Sequence, residues 1–434
     1  MSAILTAILC VEAVSDAPPE SVTRIGLDEA LARAREGNAI LLTERLSASL
    51  AGERARYSWN AFLPSFSLGA ALRNAHGLAG SPPAGREGTS LEVSAGISLT
   101  LTAGIPEKRK QADLARDTAF LSLSGAESAV ERDVKTSYYL LLADRDALEL
   151  AEGDRALATR QAEYVRKNYE SGLASELELL QARYAAASVE PKIEEARRAY
   201  RQAVREFAML LGIEPTGDVE LTDSLEANPR PVRLPAPVAS YVERANAVRS
   251  ARNALETAKS ESRAESLTQR APTVSLSESV GVANLEEGFR APDYGTFTLS
   301  VAVPLNGYVP GSREWLSLRE GASAIRKAEI ALERARRETA SLLQGLVERL
   351  EGLYRAIDLA TMNVRLAERA YELSGQGYRA GLVKQTEHDD ARQRLLEARL
   401  AALTAGYKYK IGVIELAHGL GLSEEAVCGG EAGR

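Results

Sequence analysis

Side chains able to make or break covalent bonds are sparse in this sequence. The cysteines, Cys10 and Cys428, stand near opposite ends, and the histidines, His76, His388 and His418, are scattered. No thiolate or imidazole cluster has the spacing of metal ligands, and no cysteine–histidine nucleophile pair is recognisable. A phosphate-cradling P-loop and a glycine-rich dinucleotide fingerprint are also missing from the sequence. The expectation is therefore no catalytic residue, no metal, no cofactor and no enzyme. What recurs is a turn: Tyr169-x-x-Gly172-Leu173 returns as Tyr378-x-x-Gly381-Leu382. Glycine in such a place lets the chain reverse and lets a second backbone approach closely.

The turn is one part of a larger duplication. At a single offset of 209 positions, Leu150 matches Leu359, Leu157 matches Leu366 and Arg160 matches Arg369. Ala182-Arg183 matches Ala391-Arg392, Tyr200 matches Tyr409, and Leu211-Gly212 matches Leu420-Gly421. A period near half the chain length indicates a doubled half-molecule, not a solenoid of short units. Ala, Leu, Glu and Arg dominate the 434 residues, with 5% aromatic and 26% charged residues, the profile of long amphipathic helices. Net charge is −7 with both signs interspersed, which gives no basic tract for nucleic acid.

Along the chain, residues 1–17 hold an apolar run too short to span a bilayer as a helix. It is similar to the core of a secretory signal without the usual basic start, and Cys10 lacks the small residues expected before a lipidated cysteine. Helical spacing runs through 27–62 to Pro64. Strict alternation follows in 65–73 (Phe66, Leu68, Ala70, Leu72) and in 91–101 (Leu91, Val93, Ala95, Ile97, Leu99, Leu101). A long helix is expected over 107–168, then the turn Tyr169–Ser175 and a second helix of ~37 residues to Leu211. A proline-rich linker, 213–237, leads to the same order again: helix 238–270, strands 273–282 and 297–305, helix 312–376, turn Tyr378–Lys384 and helix 385–419. Two repeats, 18–212 and 238–422, and a tail, 423–434, complete the division.

Strands of ~9–11 residues with apolar and Ser/Thr/Gly faces have the length and period of outer-membrane barrel strands. Helical rods of ~90 Å cannot share one compact core with two short hairpins. Four strands cannot close a barrel, and an open edge in hydrocarbon leaves backbone groups unsatisfied at several kcal/mol each. Several copies must therefore join. Two would give a barrel filled by side chains, and three would give twelve strands with a possible lumen. Glu278 runs against the pattern, since it falls on the apolar side between Leu276 and Val280. A periplasmic or surface coiled-coil scaffold is the competing reading, but it leaves the amphipathic hairpins and the duplication without purpose.

Helix, strand, strand, long helix, turn and helix twice over, with Tyr-x-x-Gly-Leu turns in corresponding places, resembles the TolC-like outer membrane efflux protein family from ~27 to ~422. The resemblance implies a mixed α/β chain of mostly long helices forming one third of a trimeric twelve-stranded β-barrel with a periplasmic helical tunnel. The implied role is a passive exit duct for a tripartite efflux pump or type I secretion system. Implied partners are two further copies, outer-membrane lipid, a periplasmic adaptor and an inner-membrane transporter. By position, Ser171-Gly172-Leu173 and Ala380-Gly381-Leu382 are implied to receive the adaptor. Glu387 and Asp390, with Glu178 in the first repeat, are implied to ring the narrow entrance and favour cations. Val383 and Lys384 depart from members with an arginine just after the turn glycine. His388 is read as a surface histidine.

Overall fold

The computed structural model describes residues 23–75, 88–213, 219–225, 229–283 and 294–429. The signal-like segment, Cys10 and His76 lie outside these residues. A short strand β1 (Thr23–Ile25) precedes helices α1 (Leu27–Gly37) and α2 (Ala39–Arg56). A hairpin follows, β2 (Ser65–Ala75) and β3 (Gly88–Thr102), then α3 (Ile105–Glu170), α4 (Glu176–Ala187), α5 (Glu190–Leu211) and the short strand β4 (Val219–Leu221). The second half contains α6 (Ala239–Val242), α7 (Asn246–Arg270), β5 (Thr273–Ala283) and β6 (Tyr294–Ala302). It ends in α8 (Arg313–Arg379), α9 (Gln385–Leu420) and α10 (Glu424–Val427).

At 66 and 67 residues, α3 and α8 are rods of about 100 Å. Their cores are thin seams. One gathers Val134, Tyr138, Leu141, Leu142, Phe207 and Leu211, and the other Val248, Leu343, Leu350, Val413 and Leu416. The linker is tied to the first seam. β4 pairs in parallel with β1, and Tyr138 donates its hydroxyl to Asp223 at 2.7 Å. Burial beside that carboxylate pushes the Tyr138 phenol well above its usual range. No described helix is long and apolar enough to cross a membrane.

The two hairpins join through β3 and β5 into one antiparallel sheet of order β2-β3-β5-β6. Register sorts its two faces. Phe66, Ile97, Glu278 and Phe297 form one cross-strand row, and Leu99, Leu276 and Leu299 another. The opposite face carries Ser65, Ser98, Ser277 and Thr298, with Ser65 and Ser98 hydroxyls 2.8 Å apart. The apolar face is open: Phe66, Leu68, Phe297, Leu299 and Val301 are all exposed. Glu278 does lie on that face, and Gly295 is what accommodates it. The Glu278 carboxylate sits 3.2 Å from where a Cβ on Gly295 would stand, in space that a side chain would otherwise fill.

Several expected elements are interrupted. The helix expected over 27–62 breaks at Asn38, whose side chain accepts from the Ile40 and Leu41 amides and donates to the Leu210 carbonyl. Gly37 and Gly212 cross there so closely that a Cβ on either would meet backbone within 3 Å. The ~37-residue helix divides into α4 and α5 around Ser188–Val189, because Pro191 offers no N–H and clashes with the preceding turn. The helix expected over 238–270 divides likewise between α6 and α7. The last strand stops at Ala302 before Pro304, not at Leu305. The tail holds α10 and a bridge from Cys428 to Arg233 in the linker.

Candidate functional site at the turns of the long hairpins

Both long helices end in the same hydrogen-bond pattern. The Gly172 amide donates to Tyr169 O at 2.9 Å and the Leu173 amide to Asn168 O at 2.8 Å. In the second repeat, Gly381 donates to Tyr378 O at 3.0 Å and Leu382 to Gly377 O at 2.8 Å. Gly172 and Gly381 have φ of 74° and 73°, the left-handed conformation that glycine adopts without penalty. Such a turn ordinarily packs its final apolar residue on the one that supplies the first carbonyl. Here those residues are Asn168 and Gly377, which offer no apolar surface. Leu173 and Leu382 consequently stay 80% and 84% exposed, next to exposed Ser171 and Ala380.

The helices that leave the turns begin differently. Ser175 caps α4 and Glu178 completes a capping box, its carboxylate 2.7 Å from the Ser175 amide. The matching N-cap of α9 is Lys384, whose side chain cannot accept a hydrogen bond, so no reciprocal capping box forms with Glu387. Glu387 and Asp390 are both exposed on one wall of a groove between α8 and α9, of about 790 Å³. Its floor is largely alanine, including Ala360, Ala367 and Ala391, with Leu359 and Leu366 across from the acids. Two of the three expected acids thus share one surface, while Glu178 is held at its own helix start.

His388 is not a surface histidine. It is 7% exposed, its ring nearly parallel to Tyr371 (12°, centroids 4.9 Å) and Tyr378 (7°, 5.9 Å). Its Nδ1 lies 2.9 Å from Ser374 Oγ, and Gly375 leaves room for the ring. Burial, with Arg392 and Arg379 nearby, lowers the imidazole pKa against the opposing pull of Asp389. The sequence held a signal for this: at offset 209, His388 aligns with Leu179, a buried leucine of the first repeat. Tyr378 joins the two halves, packing on Val165 and Leu179 and donating to Gln385 Oε1 at 3.1 Å.

A second contact between halves was not anticipated. Arg392 on α9 and Asp154 on α3 form an ion pair with both side chains almost fully buried. By the same offset their counterparts are Arg183, which is exposed, and Asn363, which carries no charge. Among the described residues, no group of three His, Cys, Asp or Glu could hold a metal ion.

This architecture matches a known family along most of its length: the model of the outer membrane efflux proteins covers residues 30–213 and 239–422. The chain belongs to that family. It is an efflux channel of the outer membrane, with its helical part in the periplasm. No curated protein matches the sequence. Among solved structures, the outer membrane protein VceC of Vibrio cholerae superimposes with TM-score 0.76 at 18% identity, covering 92% of this chain and 97% of that one. The Campylobacter jejuni CmeC outer membrane channel gives 0.79 at 13% identity, over 91% and 85%. The open Neisseria gonorrhoeae MtrE channel gives 0.74 at 18%, over 93% and 90%. At these identities the likeness establishes the fold. Family membership weighs against the scaffold reading.

Proposed function

We propose that three copies of this chain close a twelve-stranded barrel over a helical tunnel and serve as the passive exit duct of a tripartite pump or type I secretion system. The observation that carries this reading is the open four-stranded sheet. β2 and β6 each leave one edge unpaired beneath an apolar face, a state that hydrocarbon does not tolerate. Residues 18–212 and 238–422 act as its two repeats, joined by 213–237, after a removable segment at 1–17 and before a tail at 423–434. An inner-membrane transporter supplies the energy. A periplasmic adaptor grips Ser171-Gly172-Leu173 and Ala380-Gly381-Leu382, where the exposed leucines offer it apolar purchase.

Glu387 and Asp390 ring the entrance, and Glu178 adds a weaker contribution while it serves its capping box. Purified protein should have the mass of three chains in detergent, and a monomer would end the proposal. In planar bilayers, Glu387→Gln with Asp390→Asn should weaken cation preference. Unchanged selectivity would remove the acids from the conduction path.

A further inference from the structure

The end of the sheet nearest the helices carries a feature that neither the duct nor its tip uses. Three strands enter or leave at one level, since Thr102 pairs with Thr273 and Thr273 with Ala302, while β2 joins four residues farther up the sheet, where Ser65 pairs with Ser98. Two 3-10 turns flank the sheet in sequence, Ser58–Phe62 just before β2 and Asn306–Tyr308 just after β6. Both tryptophans of the chain, Trp59 and Trp315, occur here. The lipid-side apolar face continues into this level through exposed Leu63 and Phe62 on one side and Val303, Leu305 and Tyr308 on the other.

Interleaved with these rings are arginines stacked on them. Arg56 lies 5.6 Å from the Tyr57 ring centre, Arg270 lies 5.3 Å from Tyr308, and Arg319 lies 4.7 Å from Trp315. Among the described residues, none of these guanidinium groups lies in an ion pair, and Arg270 spends one N–H on the Gly307 carbonyl at 3.5 Å, leaving its others available. Nearby acids are turned inward: Glu107 accepts from Ser260 at 2.8 Å and Glu265 from Ser317 at 3.0 Å. Exposed Glu53 and Glu320 lie farther from the sheet than Arg56 and Arg319. Arg54, Lys108 and Arg109 add exposed positive charge at this level, on a chain of net charge −7.

We propose that this collar binds the phosphate-bearing headgroups of anionic phospholipid in the periplasmic leaflet of the outer membrane, with Arg56, Arg270 and Arg319 as the phosphate contacts. An aromatic ring holds the guanidinium plane at the depth where chain meets headgroup and leaves its N–H edge free for a phosphate. The proposal depends on the lipid-facing sheet, and not on the trimer or the tip.

Because both tryptophans sit in the collar, their fluorescence reports on it alone. In the intact protein reconstituted into phosphatidylglycerol-containing bilayers, lipid brominated near the headgroup should quench several-fold more than lipid brominated at the terminal methyl. Equal or reversed quenching overturns the proposal. In native mass spectrometry, combining Arg56→Gln, Arg270→Gln and Arg319→Gln should cut phosphatidylglycerol retention by about fivefold for each guanidinium removed. Undiminished retention, equal retention of phosphatidylcholine, or displacement of the lipid by inorganic phosphate would each overturn it.

Discussion

Between Tyr371 and Tyr378, the imidazole of His388 is held neutral by burial, and protonating it must disturb the stack around it. A histidine whose pKa falls on folding contributes stability that is complete above about pH 6.5 and is lost as pH drops towards its folded value. The segment 371–392 should therefore exchange amide hydrogen faster at pH 5.5 than at pH 7.5. His388→Leu, which copies Leu179 of the first repeat, should remove most of that difference. His418 is also buried with a lowered pKa, so a pH response that survives His388→Leu unaltered would point there instead. Removing one partner of a buried ion pair strands the other, at a cost of about 3–5 kcal/mol. Asp154→Ala should accordingly lower the thermal midpoint far more than a surface change such as Glu163→Ala. The glycines and leucines of the two turns, and the pair Glu178 and Glu387, were legible as residue types at matching positions. The Arg392–Asp154 pair was not, because its members come from different halves and their counterparts, Arg183 and Asn363, do not repeat the charges.

At the level of elements, two hairpins of near-equal length differ in how their returning helices start. Ser175 and Glu178 cap each other, whereas Lys384 leaves Glu387 unengaged. Lys384→Ser should recreate the capping box in the second repeat, adding about 1 kcal/mol to helix stability. It should also draw Glu387 out of the groove and weaken cation preference in planar bilayers. A gain in stability with unaltered selectivity would separate the cap from any role in conduction. Long helices and alternating strands could be read from period alone, since both stretch over many residues and repeat. Their breaks were harder to see. Asn38 interrupts a continuous apolar pattern by bonding neighbouring amides and the Leu210 carbonyl, a partner 172 positions away. Pro191 was visible, but the intact helical spacing on either side of it hid the break.

In the proposed trimer, the duplicated half-chains would make the contact of α3 with α9 inside one copy correspond to a contact of α8 with α4 of the next copy. The first kind of joint holds Arg392 against Asp154. The second would place Arg183 opposite Asn363, an amide that offers a hydrogen bond but no counter-charge. A tube built this way has alternating strong and weak staves, and strain at the tip should part it where one copy meets another, leaving each copy's own pair of hairpins together. Asn363→Asp supplies the absent carboxylate and should lower the open probability of single channels, while an unchanged open probability would place the yielding joint elsewhere.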